Sequence, residues 1–186
     1  MAEFEKSGNS APSFHFECHC FQILPIRKEV GDLPSILLYI FLQCTWGIIQ
    51  TSVGLLVFLK YMKCPHRFFG GAVHTGWKRD DGVSLGLFIF SPDHKKAGGQ
   101  IEQPDRLMVH EYGHTIQSLM LGPLYLPVIG IPSAIWANCR KYVKLRETYG
   151  VLYSFCFAEG WADRLGRKMT ADFINRQQGG KTDEEK

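Results

Sequence analysis

The sequence predicts an α+β fold: a helical core, a short antiparallel sheet and one long apolar helix near the N-terminus. Three observations predict it. The pentapeptide His110-Glu111-Tyr112-Gly113-His114 lies in a segment whose apolar residues recur at helical spacing. Residues 70–77 and 83–90 are rich in aromatic and β-branched side chains, with the turn pair Asp81-Gly82 between them. Residues 33–59 contain no charged side chain at all.

The chain of 186 residues suits one domain, not two. We divide it into a polar and aromatic segment at 1–32, a transmembrane helix at 33–62, a domain at 63–176 and a mobile tail at 177–186. With 21 basic and 18 acidic residues the charge is nearly balanced. No basic run with interleaved aromatics is present, which argues against nucleic acid as a partner. Residues 1–13 are small and polar, and are expected to lack fixed structure. The cluster Cys18-His19-Cys20 lacks the paired spacing of a zinc finger. Six cysteines at irregular positions do not form a disulfide pattern, and reduced thiols are expected.

The run at 33–59 is bracketed by Asp32 and Lys60. As a helix it would extend roughly 40 Å, enough to cross a bilayer with tilt. Pro34 suits its first turn. Gln43, Thr45, Gln50, Thr51 and Ser52 interrupt it, and such residues face another helix or a polar cavity. Membrane lipid is therefore an expected partner. Arg27 and Lys28 precede the run, and Lys60, Lys63 and Arg67 follow it. This small excess of basic charge puts the C-terminal part on the cytoplasmic side.

After the span come the two strands, with 78–82 as the turn of a hairpin, then a polar loop at 91–103 containing Gly98-Gly99. The next helix opens near Pro104 and Asp105, both suited to a first turn. Gly122-Pro123 ends it. On this helix His110 and His114 are four residues apart and share a face, so both imidazoles can reach one zinc ion. Glu111 sits one residue further round. There a carboxylate can take a proton from water that zinc acidifies to a pKa of about 7. Gly113 costs roughly 1 kcal/mol relative to Ala inside a helix. A close approach by another backbone or by substrate would account for it. Residues 118–137 are again free of charge but hold Pro123, Pro127 and Pro132. One continuous helix is excluded there, and a shallow re-entrant hairpin beside the site, or a buried apolar loop, is expected.

A catalytic zinc needs a third protein ligand. A second helix, expected over 153–173, carries Glu159 and Asp163 on one face. Glu159 can bind the metal while Asp163 accepts the free N–H of a histidine ligand. The alternative is a solvated face paired with Arg164 or Arg167. Glu147, Asp163 and Asp172 are the other carboxylates that compete for the ligand role. Glu147 lies in the charged stretch 140–147, and Asp172 lies near the helix end.

His110-Glu111-x-x-His114 followed by Glu159-x-x-Ala162-Asp163 resembles the gluzincin metallopeptidases. The string Glu159 to Leu165 looks like the second motif of CAAX prenyl proteases and HtpX-type membrane proteases. Residues 84–167 are similar to small bacterial membrane zincins. The resemblance implies a zincin-like core, with His110, His114 and Glu159 as ligands of Zn2+ and Glu111 as the general base. It also implies that residues 84–90 line a cleft and pair with an extended substrate. The chain departs from the larger membrane proteases in lacking their several clear spans. An oxyanion donor is left open among His74, Tyr142, Tyr149, Tyr153 and Arg164.

The expected function is that of a membrane-associated, zinc-dependent endopeptidase acting on a peptide or membrane-protein substrate. The alternative is a zinc-binding structural or adaptor membrane protein without peptidase activity, against which an intact Glu111 speaks. A secreted soluble metallopeptidase conflicts with the run at 33–59. An intramembrane protease of the site-2 type conflicts with the polar start of the metal helix at Asp105 and Arg106.

Overall fold

The computed structural model describes residues 33–92 and 106–183, with side chains of the last helix described through residue 171. The expectations for 1–32, including Cys18-His19-Cys20, for most of the loop at 91–103, for Pro104 and Asp105, and for the Asp172 side chain lie outside the described residues. The fold is α+β, with six α-helices and a four-stranded mixed sheet.

The apolar run forms two helices, not one. Helix α1 spans Leu33–Thr45 and α2 spans Ile48–Lys60. Their axes bend by 93° at the break, and no single helix among the described residues is long and apolar enough to cross a membrane. The polar residues inside the run explain the bend. Gln43 Nε2 donates to the Thr115 carbonyl at 2.9 Å, and Gln50 Nε2 donates to Ser118 Oγ at 2.7 Å and to the Gly122 carbonyl at 3.0 Å. Thr51 Oγ1 donates to the Gln43 carbonyl at 2.8 Å, tying the two arms together. A buried amide left without partners costs about 1–3 kcal/mol. The arms therefore fold around the helix that offers the partners. Gly47 sits at the corner, where any Cβ would come within 2.6 Å of Gln43 Oε1.

The sheet also departs from expectation. Strand β1 (His66–Phe69) precedes β2 (Ala72–Trp77), and β3 (Val83–Leu85) precedes β4 (Phe88–Pro92). The order is β1-β2-β4-β3. β1 pairs with β2, and β3 with β4, antiparallel, while β2 and β4 run parallel. The expected hairpin across 78–82 does not form. The real turns are Gly70-Gly71, where both φ angles are positive, and Gly86-Leu87, where Gly86 is left-handed. Residues 78–82 instead carry the chain over to the far edge, held by Trp77 Nε1 donating to the Asp81 carbonyl at 2.8 Å. One sheet face packs Ala72 and Ile89 with Tyr39 of α1 and Tyr112 of the next helix. Trp77, Phe88 and Phe90 pack with Val57 and Phe58 of α2.

Helix α3 spans Arg106–Leu121 and ends at Gly122, whose φ is +53°. The charge-free stretch after it is helical but of changing type. A 3-10 turn (Gly122–Leu124), a π turn (Leu126–Gly130) and α4 (Ile131–Asn138) follow one another. Pro123, Pro127 and Pro132 each fall in the first turn of a segment, where a missing N–H costs nothing. The prolines thus divide the stretch into successive helical segments, and one continuous helix is absent there, as expected. Tyr125 and Ile129 pack there against Ala158. Helix α5 (Arg140–Tyr149) buries no residue, in keeping with the solvated face read from its charges. A 3-10 turn (Tyr153–Phe155) leads into α6 (Phe157–Asp183). The backbone is thus helical to Asp183, beyond position 177 where the tail was expected to start.

Helices α3 and α6 meet across Gly113. A Cβ on Gly113 would stand 2.0 Å from the Ala162 carbonyl oxygen. The close approach inferred from this glycine is that of the α6 backbone. Gly113→Ala should gain up to ~1 kcal/mol of helix propensity. It should lose more, about 1–3 kcal/mol, to the overpacked helix pair. Thermal unfolding should register a net loss; an unchanged or raised midpoint would mean that the two helices can part freely.

Candidate metal centre

Helical spacing on α3 puts the His110 and His114 rings together, with centroids 4.8 Å apart and planes at 87°. Helix α6 brings Glu159 to the same point. Glu159 Oε2 lies 3.0 Å from His110 Nε2 and 3.4 Å from His114 Nε2. One ligand atom from each of the three residues falls within 4.8 Å of the others, an arrangement that could hold a metal ion.

The surroundings aim these atoms. His110 Nδ1 faces Asp163 Oδ1 at 2.8 Å. His114 Nδ1 donates to Gln117 Oε1 at 2.7 Å, and Gln117 Nε2 donates to the Ala158 carbonyl at 2.8 Å. With both Nδ1 atoms facing acceptors, each Nε2 faces Glu159, where a neutral ring would present its lone pair to a cation. Asp163 stands behind His110, on the nitrogen away from the shared point. It also meets Arg167 Nη2 at 3.7 Å, so the solvated pairing read as an alternative coexists with the histidine contact.

The donor set fits a cation on a specific chemical ground. A neutral imidazole has one N–H. His110 faces a carboxylate at both nitrogens, so satisfying both without a metal demands the imidazolium. Burial works to lower the His110 pKa, but Glu159, Glu111 and Asp163 outweigh it and push it up to about 9. Burial raises that of Glu159, yet the bonds from His110 and His114 prevail and hold it far below the usual carboxylate range. A divalent cation at the shared point supplies the same positive charge to neutral histidines. Glu159 Oε1 is buried and makes no hydrogen bond of good geometry, although the Ser133 hydroxyl also helps to hold the carboxylate ionised, so this oxygen is an acceptor that a cation would satisfy.

Glu111 is buried beside this group. Ser84 Oγ lies 2.6 Å from Glu111 Oε2 and 2.7 Å from the Glu111 carbonyl, and its one proton serves a single acceptor at a time. Burial raises the Glu111 pKa, and the nearby His114 and His110 only partly offset this. The carboxylate is therefore a stronger base than an exposed one. Gly82 leaves it room, since a Cβ there would stand 2.2 Å from Glu111 Oε1.

Of the five possible oxyanion donors, Tyr153 is the one near the histidines, with its ring 6.5 Å from that of His110. His74 is buried in the sheet between Arg67 and Ser91, Tyr142 packs on Trp136, and Tyr149 and Arg164 are exposed. Tyr153 is held by its carbonyl, which accepts from Trp136 Nε1 at 2.9 Å, and by the Arg146 guanidinium 5.3 Å over its ring. Sequence reading missed three contributors. Gln117 had a signal, being three residues from His114 on one helix. Ser84 and Tyr125, whose hydroxyl reaches the Ser84 carbonyl at 3.4 Å, had none.

Strand β3, whose Ser84 reaches Glu111, is an edge strand among the described residues, whereas β4 is paired on both sides. Of residues 84–90, then, only those in β3 keep an edge for strand addition.

Asp163→Ala should leave the ligand atoms in place but free the His110 ring. Metal affinity should fall roughly 10–100-fold, the usual effect of removing such an orienting carboxylate. Competition against a chromophoric chelator measures it; complete loss of metal binding would make Asp163 a ligand instead.

No protein-family model, no curated protein and no solved structure matches this chain.

Proposed function

We propose that the chain is a membrane-associated zinc endopeptidase of the zincin kind. The observation that carries this reading is the convergence of His110, His114 and Glu159 with a buried Glu111 alongside. Three ligands of this type suit a catalytic zinc with one position open. When bound, zinc supplies Lewis acidity toward a peptide carbonyl and toward water. Glu111 takes the proton from the attacking water and returns it to the leaving amine. Ser84 holds the Glu111 carboxylate by one oxygen. Of the five residues considered for the developing oxyanion, Tyr153 is the one whose ring lies near His110. The β3 edge offers backbone groups to an extended peptide.

Membrane association is supported by the exposed apolar side chains of α1 and α2, among them Leu37, Leu38, Phe41, Ile49, Leu55 and Leu56. A protein that only holds zinc does not account for a carboxylate buried next to the ligands, which costs desolvation energy. Elemental analysis of the gently purified chain tests the reading. About one zinc per chain is expected. A folded, metal-free protein unable to take up zinc would overturn it.

A further inference from the structure

The bent pair α1–α2 has two faces of opposite character. Its inner face carries Gln43, Gln50 and Thr51, all buried and bonded to α3 or to each other. Its outer face is mostly apolar from Leu33 through Leu59, with Leu37, Phe41, Trp46, Ile49, Val53 and Leu56 each at least two-fifths exposed and Ser35, Thr45 and Ser52 exposed among them. Leu56 is 69% exposed among the described residues. An apolar surface this extended marks an interaction site.

Each arm has 13 residues and so is about 20 Å long. The hydrocarbon core of a bilayer is about 30 Å thick, so neither arm crosses it. With both arms inclined equally, a 93° bend lets the corner reach roughly 14 Å below the arm ends, which is one leaflet. Backbone at such a depth must be satisfied internally. Three bonds at the corner serve this condition. Gly47 N–H donates to the Leu42 carbonyl, Thr51 N–H to the Gly47 carbonyl, and Thr51 Oγ1 to the Gln43 carbonyl. At the corner Trp46 packs on Gly122, where a Cβ would come within 2.2 Å of the indole. The two charge-free stretches of the sequence thus meet at the corner, and Leu124, Val128, Ile131 and Ile135 carry the exposed apolar surface onward.

The basic residues suit the same arrangement, with Glu29 and Asp32 beside the first pair. Basic residues flank the run on both sides, Arg27 and Lys28 before it and Lys60 and Lys63 after it. A span would put these pairs on opposite faces of the membrane. A re-entrant pair keeps all four on one face, where they meet anionic headgroups.

We infer that α1–α2 is a re-entrant anchor that dips into a single leaflet, so that the chain enters and leaves on the face that carries the metal centre. This rests on the membrane association proposed above, and it is independent of peptidase activity.

The test uses the full chain with an N-terminal epitope and a site-specific protease sequence inserted in the exposed 78–81 segment. It is placed in sealed vesicles of known orientation. Epitope and cleavage site should both be accessible from the same face. Accessibility from opposite faces would establish a span and overturn the anchor. A second variant, Leu37→Gln with Leu56→Gln, alters only the exposed surface and adds no charge. Its binding to vesicles containing anionic phospholipid should fall at least roughly tenfold. Unchanged vesicle binding, or a parent protein that floats free of vesicles, would also overturn the inference. Zinc content read on the same samples separates failure of the anchor from failure of the metal reading, since either can fail alone.

Discussion

Glu111→Gln is expected to retain about one zinc and to lose turnover by about 10²–10⁴-fold, the range that a general base contributes. The amide keeps the shape of the carboxylate and can still bond to Ser84, but it cannot accept a proton from water. The effect should be large because the environment of Glu111 makes it a good base. It is 4% exposed, burial raises its pKa, and Ser84 engages only one carboxylate oxygen. The substitution removes a buried charge without opening a cavity, so folding should be unaffected or improved. Peptide cleavage and zinc content measured on the same preparation check this. Near-wild-type turnover would refute the mechanism. If the unaltered protein loads zinc but cleaves no peptide or membrane substrate, the adaptor reading replaces the peptidase.

Glu159→Ala is expected to abolish tight zinc binding. The two imidazoles left on α3 make a site of two neutral ligands, and the charge that holds a dication is gone. Glu159 Oε2 is the atom that both Nε2 atoms approach, and the side chain is 1% exposed, so no bulk water replaces it easily. Loss should therefore exceed the 10–100-fold expected for Asp163→Ala by a wide margin. A circular-dichroism melt on the same variant separates loss of metal from loss of fold. A Glu159→Ala protein that still binds zinc tightly, beside an Asp163→Ala protein that does not, would reverse the assignment.

The pattern His110, Glu111, His114 was legible because helix geometry is local: residues four apart share a face whatever the rest of the chain does. Gly113 was legible for a related reason. A glycine inside a helix is unfavourable unless something takes the space of its side chain, and here the Ala162 carbonyl does. The pairing of Glu159 and Asp163 on one face followed from the same four-residue spacing, and so did the end of α3 at Gly122-Pro123. The polar residues within the apolar run correctly signalled a helix partner, although only Gln43, Gln50 and Thr51 turn inward.

Sequence by itself therefore determined the α+β class, the pairing of His110 with His114 on one helix face and the charge-free stretches, because each is carried by near neighbours in the chain. Tertiary structure alone decided the corner between α1 and α2, the parallel pairing of β2 with β4, and the presence of Ser84 and Tyr125 beside Glu111. Each of these depends on partners far apart in sequence. Gln43 and Gln50 find their acceptors 68–72 residues away on and after α3, and those bonds bend a run whose composition reads as one straight helix. Ser84 reaches Glu111 across 27 residues, from a strand whose place at the sheet edge no local pattern encodes. A hydrogen bond or a strand register is chosen by what the folded chain brings within about 3 Å, and spacing along the sequence does not carry that information.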